Sequence, residues 1–363
     1  MKKGFWDYLE DLLPKLVLAP TFVAAVVFIY GFIGWTAWIS CTQSELLPEY
    51  PLAAGYKISP QVLAQLKNEG VPATVVEKLQ PLVGQDLAKE RNFLSAVTEQ
   101  IGEEETNKYQ TLLLKDAYTH DLLVQYKKLF ASERWMVALK NLVIFGTLFI
   151  GLCIAVGLLL AILLDQRIRA EGFLRTIYLY PMAISFIVTG AVWRWILNPD
   201  LGLERLVRQL GFSEFTFRWL VESKTAIYTV VIAAVWQSSG FVLALFLAGL
   251  RGIDDAIIKA AQVDGASLPR IYWRIIIPSL RPVFLSSVII LSHIAIKSFD
   301  LVVALTRGGP GYASDVPATF MYAFAFNRAR LALGASSAMI MFLAVMAIII
   351  PYLYSELRGT RNA

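Results

Sequence analysis

The chain has 363 residues, 57% of them hydrophobic and only 17% charged, and its mean hydropathy is +0.58. Soluble domains carry close to a quarter charged residues, so this composition points to an integral membrane protein and excludes collagen-like and disordered chains. The net charge of +5, from 33 Lys+Arg against 28 Asp+Glu, fits basic membrane loops better than nucleic-acid binding.

Six apolar runs follow one another: 16–40, 142–164, 176–197, 226–250, 283–305 and 331–354. Each is long enough to cross a bilayer as a helix, the one open-chain form that satisfies its own backbone there. The expected fold is an all-α integral membrane protein of six transmembrane helices with a helical extracytoplasmic insertion between the first and second. The first run is too long for a signal peptide. Trp38-Ile39-Ser40-Cys41 is a poor lipoprotein cleavage site because of the large Trp38, so cleavage is not expected. The cysteines Cys41 and Cys153 and histidines His120 and His293 make no metal-binding spacing, and neither a metal site nor a disulfide framework is expected.

With the N-terminus inside, the inner segments carry Lys2, Lys3, Lys15, Arg167, Arg169, Arg175, Arg251, Lys259, Arg270, Arg274, Arg281, Arg358 and Arg361. The short outer loops hold fewer: Arg205, Arg208, Arg218, Lys224, Arg307, Arg328 and Arg330. The positive-inside rule then places both termini in the cytoplasm. Residues 1–40 form the N-terminus and first helix. Residues 41–134 form an outer, mostly helical domain or arm. Residues 135–354 form the core, with an inward loop at 251–282, and 355–363 form a cytoplasmic tail. In the outer segment Val62, Leu66, Val71, Val75 and Leu79, then Leu112, Leu113, Tyr118, Leu122, Leu123 and Tyr126, recur at helical spacing, with breaks at Pro60, Pro72 and Pro81.

Between the fourth and fifth runs, Ile253, Ile257, Ile258 and Ala261 share a helical face. Gly265 permits a sharp turn, and Pro269 suits the first turn of a second short helix carrying Ile271 and Ile275. The shape expected is a compact helical elbow at the membrane surface, able to press into a partner's cleft.

The order Ala260-Ala261-x-x-Asp264-Gly265-Ala266, then Trp273-Arg274-Ile275 and Pro278-x-x-Arg281-Pro282, resembles the "EAA" loop of ABC importer permeases, most of all the carbohydrate group. Lys297-Ser298-Phe299-Asp300-Leu301 and Leu305-Thr306-x-Gly308-Gly309-Pro310-Gly311 are similar to maltose-type sugar permeases. Asp315-Val316-Pro317-Ala318-Thr319-Phe320-Met321-Tyr322 and Pro351-Tyr352-Leu353-Tyr354-Ser355-Glu356-Leu357-Arg358 resemble the glucose/mannose-type subgroup. The likeness covers about 136–358 and the first helix, and leaves out the outer domain. It implies that Ala260, Ala261, Asp264, Gly265, Ala266 and Pro278 couple the chain to an ATPase. Lys259 stands where the family has Glu, so coupling is expected through apolar faces and Asp264/Gly265, with Asp254 and Asp255 acidic at the helix start.

Charge inside a membrane is costly, about 2.5–3.5 kcal/mol at a helix centre. His293, Lys297 and Asp300 lie at i, i+4 and i+7 on one face of the fifth run, with Lys297 about 21 Å from its inner end. This face either lines a water-accessible cavity, or Lys297 and Asp300 pair or cap neighbouring helices. Trp236, Gln237 and Phe299 are further candidates for pathway lining. For Trp236-Gln237-Ser238-Ser239-Gly240, helix-packing glue is the alternative, whereas Trp193 and Trp195 read as interfacial anchors.

No Walker A, GxSxG or kinase motif occurs, so the chain is not expected to be an enzyme or to hold a cofactor. Gly308-Gly309-Pro310-Gly311 reads as a tight loop. The resemblance implies an inner-membrane sugar importer working by alternating access. Its implied partners are a second homologous permease, two copies of an ABC ATPase that bind ATP and Mg, an extracytoplasmic sugar-binding protein and the lipid bilayer, with no nucleic acid. The alternative is an ion-coupled secondary transporter using Lys297 and Asp300, distinguished by whether uptake survives loss of a proton gradient. A membrane enzyme lacks a reactive constellation.

Overall fold

The structure, a computed structural model, describes residues 18–42, 54–87, 90–120, 122–166 and 170–361. Expectations resting on Lys2, Lys3, Lys15, Arg167 and Arg169 lie outside these residues, as do the side chains of Tyr118, His120, Arg358 and Arg361. The chain forms two compact units, 1–129 with 324–339 and 130–323 with 340–363.

The first unit begins with α1 (Leu18–Ser40), an apolar helix long enough to cross a membrane and almost wholly exposed. Its end is tied down where the helix leaves carbonyls without intrahelical donors. The amide of Gln125 donates to Thr42 O at 3.0 Å, the Ser336 hydroxyl to Ser40 O at 3.3 Å, and Ser40 Oγ meets Tyr126 OH at 2.8 Å. Ile39 packs with Ala332 and Ala335.

There follow β1 (Ala54–Lys57), α2 (Pro60–Asn68), α3 (Ala73–Lys78), β2 (Asp86–Leu87), α4 (Glu90–Ile101), α5 (Glu103–Ala117), β3 (Tyr118–His120) and α6 (Val124–Ala131). The helices enclose their own core of Val62, Leu66, Val71, Val75, Leu79, Phe93, Val97 and Leu113, among others. Proline starts elements here. Pro60 occupies the first turn of α2, where Ser59 accepts from Val62 N at 3.2 Å, and Pro72 precedes α3. Two corrections follow. Leu122 and Leu123 are exposed and lie in a turn ahead of α6 rather than in a helix. Helices are also not the whole of it, because β1 pairs antiparallel with β2 and β3 in a three-stranded sheet, with Tyr56 opposite both Leu87 and Tyr118.

The second unit holds α7 (Glu133–Asp165), α8 (Glu171–Leu179), α9 (Phe186–Ile196), α10 (Leu203–Gln209), α11 (Ala226–Arg251), α12 (Asp255–Val263), α13 (Leu268–Ser279), α14 (Arg281–Ile296), α15 (Asp300–Leu305) and α16 (Pro317–Tyr322). The chain ends in α17 (Leu331–Arg361). Phe145, Phe149 and Cys153 of α7, Val242, Leu243 and Phe246 of α11, and Leu291 and Ala295 of α14 make the centre of this unit's core. Both cysteines are free.

Among the described residues, four helices are long and apolar enough to cross a membrane: α1, α7, α11 and Leu331–Tyr354 of α17. Two bent pairs satisfy the same test together, which gives up to six spans. The runs at 176–197 and 283–305 are therefore not straight helices. In the first, Glu171–Ala183 and Phe186–Ile196 meet at 101°. Leu268–Ser279 and Arg281–Ile296 meet at 60° just before the second, and that run itself breaks off after Ile296 and restarts as α15.

The 101° bend is held by α11, the most buried of the four long helices. Gln237 donates to Ile184 O at 2.6 Å, supplying a partner to a carbonyl that the bend removes from the helical ladder. One turn on, Gly240 lies against the Tyr178 carbonyl so closely that a Cβ would collide with backbone. We expect Gly240→Ala to destabilise the folded protein by about 1–3 kcal/mol through overpacking. Gly151→Ala, which meets open space, should be silent. A detergent thermal-unfolding assay of the two variants measures the difference.

Candidate functional site

The elbow is built by capping chemistry. Asp254 caps α12, its carboxylate accepting from Ala256 N at 2.8 Å. The helix stops in a paired arrangement in which Gly265 N donates to Gln262 O and Ala266 N to Ala261 O, both at 3.0 Å. That arrangement needs a left-handed residue, and Gly265 supplies φ +77°. Pro269 then stands in the first turn of α13, and Tyr272–Ile276 is π-helical just before Pro278, which has no N–H to donate.

Ile253, Ile258, Ala261 and Ala266 are half-buried against the unit's core, as are Tyr272 and Ile275, while Ile271 is buried. Ile257 departs from the expected face and is about half exposed. Ala260, Asp264, Gly265 and Pro278 are exposed, and so is Lys259. Large apolar side chains stand out beside them: Val263 is 88% exposed and Trp273 73%, with Leu268 also projecting. The elbow's root is ionic. Arg251, in the last turn of α11, meets Glu171 at 2.6 Å and Asp165 at 3.9 Å.

His293, Lys297 and Asp300 do not share one helical face, because α14 ends at Ile296 with Lys297 as its C-cap. Asp300 opens α15. A cation at a helix C-terminus and an anion at a helix N-terminus each suit the local dipole, which explains why these charges sit at the break. No ion pair joins Lys297 to Asp300 among the described residues. The break instead opens a cavity of about 200 Å³ lined by Phe186, His293, Lys297, Phe299 and Asp300. Phe299 is fixed by Tyr322, with ring centroids 4.8 Å apart.

Trp236 is exposed and packs edge-on against Trp193 at 5.9 Å. Gln237 is buried, and its amide is engaged at the bend, as the packing alternative expects. Trp195 is exposed, as an interfacial anchor would be.

The glycine-rich stretch 308–311 does form a tight loop. Ser314 Oγ donates to Gly309 O and to Thr306 Oγ1, each at 2.8 Å. Sequence reasoning missed what holds this loop. Buried Asp315 accepts from Arg134 Nε at 2.5 Å and from Thr319 Oγ1 at 3.0 Å, while Asn141 donates to the carbonyls of Ala313 and Asp315, both at 2.8 Å. No local signal marks the pairings of Arg134 and Asn141, which join positions more than 170 residues apart.

The second unit thus carries an exposed capped elbow between α11 and α14, with a cavity that includes His293, Lys297 and Asp300 at a break further along. Residues 153–357 match the binding-protein-dependent transport system inner membrane component. The chain belongs to this family. It is thus an ABC importer permease of the carbohydrate group, a multi-pass membrane subunit of a kind that is not itself an enzyme. The chain is 38% identical over 238 residues to a probable ABC transporter permease of Pyrococcus horikoshii, covering 65% of this chain and 82% of that one. It is 37% identical over 250 residues to the xylose/arabinose import permease XacH of Haloferax volcanii, covering 68% and 78%. Its fold is similar to that of a bacterial ABC transporter involved in import of the acidic polysaccharide alginate, with TM-score 0.59 and 18% identity over 82% of this chain and 99% of that chain.

Removing the Arg134 guanidinium leaves the Asp315 charge buried. Arg134→Met should lower stability by about 3 kcal/mol, the low end for a broken buried pair because the arginine is 21% exposed. Thermal unfolding of the purified permease reads the loss directly.

Proposed function

We propose that this chain is one of two homologous permeases in an ATP-driven importer that passes a saccharide across the membrane by alternating access. Two copies of a cytoplasmic ATPase, holding ATP and Mg, would grip the elbow, and an external sugar-binding protein would deliver the solute. Both termini would then be cytoplasmic. The observation that carries this reading is the elbow itself: a left-handed Gly265 between two short helices, flanked by Val263, Leu268 and Trp273 with no cover. Apolar side chains projecting this far are what a docking cleft buries.

The cavity at the 297–299 break is the solute-contact candidate in this subunit. Aromatic Phe186 and Phe299 offer faces to a sugar ring, and His293, Lys297 and Asp300 offer donors and acceptors to hydroxyls. The glucose/mannose preference rests on the 315–322 and 351–358 resemblances, and the pentoses in a relative's name support only the wider class of small saccharides. An ion-coupled carrier is not favoured by the family match or by the unpaired state of Lys297 and Asp300.

Gly265→Asp should insert normally, since no atom lies near the new Cβ. It strains the left-handed turn by about 1–2 kcal/mol and should uncouple ATP hydrolysis from uptake. Normal sugar import with normal coupling in the reconstituted complex would remove the elbow from the mechanism. Phe299→Ala should slow uptake about tenfold while binding-protein-stimulated ATP hydrolysis persists, and transport assays on proteoliposomes separate the two rates.

A further inference from the structure

Residues 198–218 follow α9 and precede α11, so this segment lies at the boundary of the apolar layer those helices cross. α10 is two-faced. Leu206 and Leu210 are 58% and 71% exposed, and Trp195, Leu201 and Phe212 are exposed with them. On the other side, Arg205, Arg208 and Arg218 line an open cavity of about 640 Å³ together with Asp200, Glu204 and Thr216. A second, apolar groove of about 440 Å³ is walled by Trp195, Leu201 and Leu206. Arg205 and Gln209 belong to both, so the basic cavity adjoins the apolar groove.

The three arginines are not equivalent. Arg208 is engaged by Glu204 at 2.7 Å and by Phe215 O at 2.8 Å, and Glu204 also accepts from Phe217 N at 3.0 Å. These bonds hold the loop around the cavity. The side chains of Arg205 and Arg218 have no partner among the described residues. Asp200 is the one other carboxylate lining the cavity, which leaves a surplus of one positive charge.

We propose that this segment is an anionic-phospholipid site, in which Arg205 and Arg218 hold the headgroup phosphate while an acyl chain lies along Trp195, Leu201 and Leu206. A phosphodiester carries the single negative charge that the cavity lacks, and arginine binds it with paired N–H donors. The adjoining apolar groove separates a lipid from the competing ligands. Free phosphate or an acidic protein surface would satisfy the arginines and leave five large apolar side chains in water, whereas a membrane boundary covers them at about 25 cal/mol for each Å² removed from water. The site is independent of the solute transported.

The test uses the full-length chain in phosphatidylcholine nanodiscs doped with spin-labelled phosphatidylglycerol or spin-labelled phosphatidylcholine. The wild type should immobilise the phosphatidylglycerol probe several-fold more strongly. R205Q/R218Q should bring that ratio close to one, R205K/R218K should keep most of it, and K67Q/R91Q, which removes two exposed charges elsewhere, should leave it unchanged. Inorganic phosphate at tens of millimolar should not displace the probe. In wild-type protein, a photoreactive phosphatidylglycerol should label the 195–218 peptide, a readout that depends on no variant. The proposal is overturned by equal immobilisation of the two probes, by a ratio that survives R205Q/R218Q, by displacement with phosphate, which marks a free-anion site, or by a 195–218 peptide left unlabelled. Loss of the label when the second permease or the binding protein is added would overturn it in favour of a protein interface.

Discussion

A backbone carbonyl freed by a bend within an apolar layer has no water to turn to, and the second unit is arranged around that constraint. The 101° bend between α8 and α9 is tolerated because α11 brings the Gln237 amide to Ile184 O and, with Gly240 lacking a side chain, comes into close contact with the Tyr178 carbonyl. A polar side chain and an absent one, three positions apart, thus act on the same break. The burial of α11 follows from this role, since the helix that supplies donors to a bend must itself be covered.

The elbow obeys the same rule where water is present. Its turn is closed by backbone bonds from Gly265 and Ala266, so the exposed side chains have no structural task and are left to face outward. The inward face, in contrast, is anchored by Ile253, Ile258 and Ala261 against the core. The element is thus held on one side by packing and bare on the other.

The long runs were legible in the sequence because hydrophobicity sums over twenty residues and needs no partner to be recognised. The capped turn at Asp254 and Gly265 was legible for a similar reason, since caps are local. The breaks were not. Lys297 and Asp300 read as one helical face only if the helix continues through Ser298, and nothing nearby in the sequence marks Lys297 as a C-cap. The polarity of Gln237 is plain within its run, whereas its partner Ile184 lies 53 residues earlier. Asp315 reads in the sequence only as part of a motif, and Arg134 and Asn141, which hold it, are remote in the chain. The small sheet is silent in the sequence because strands of two to four residues carry no alternation.

Arg251 occupies the seam between α11, the most buried of the long helices, and the elbow, bound to Glu171 and facing Asp165. Three chain segments therefore share one charge at the root of the elbow. With α11 about 39 Å long at 1.5 Å per residue, a tether at its base favours tilting of the whole rod over local unwinding. Strong salt would loosen that tether, since its members are partly open to solvent, and the permease would then lose mechanical stiffness before it lost its fold.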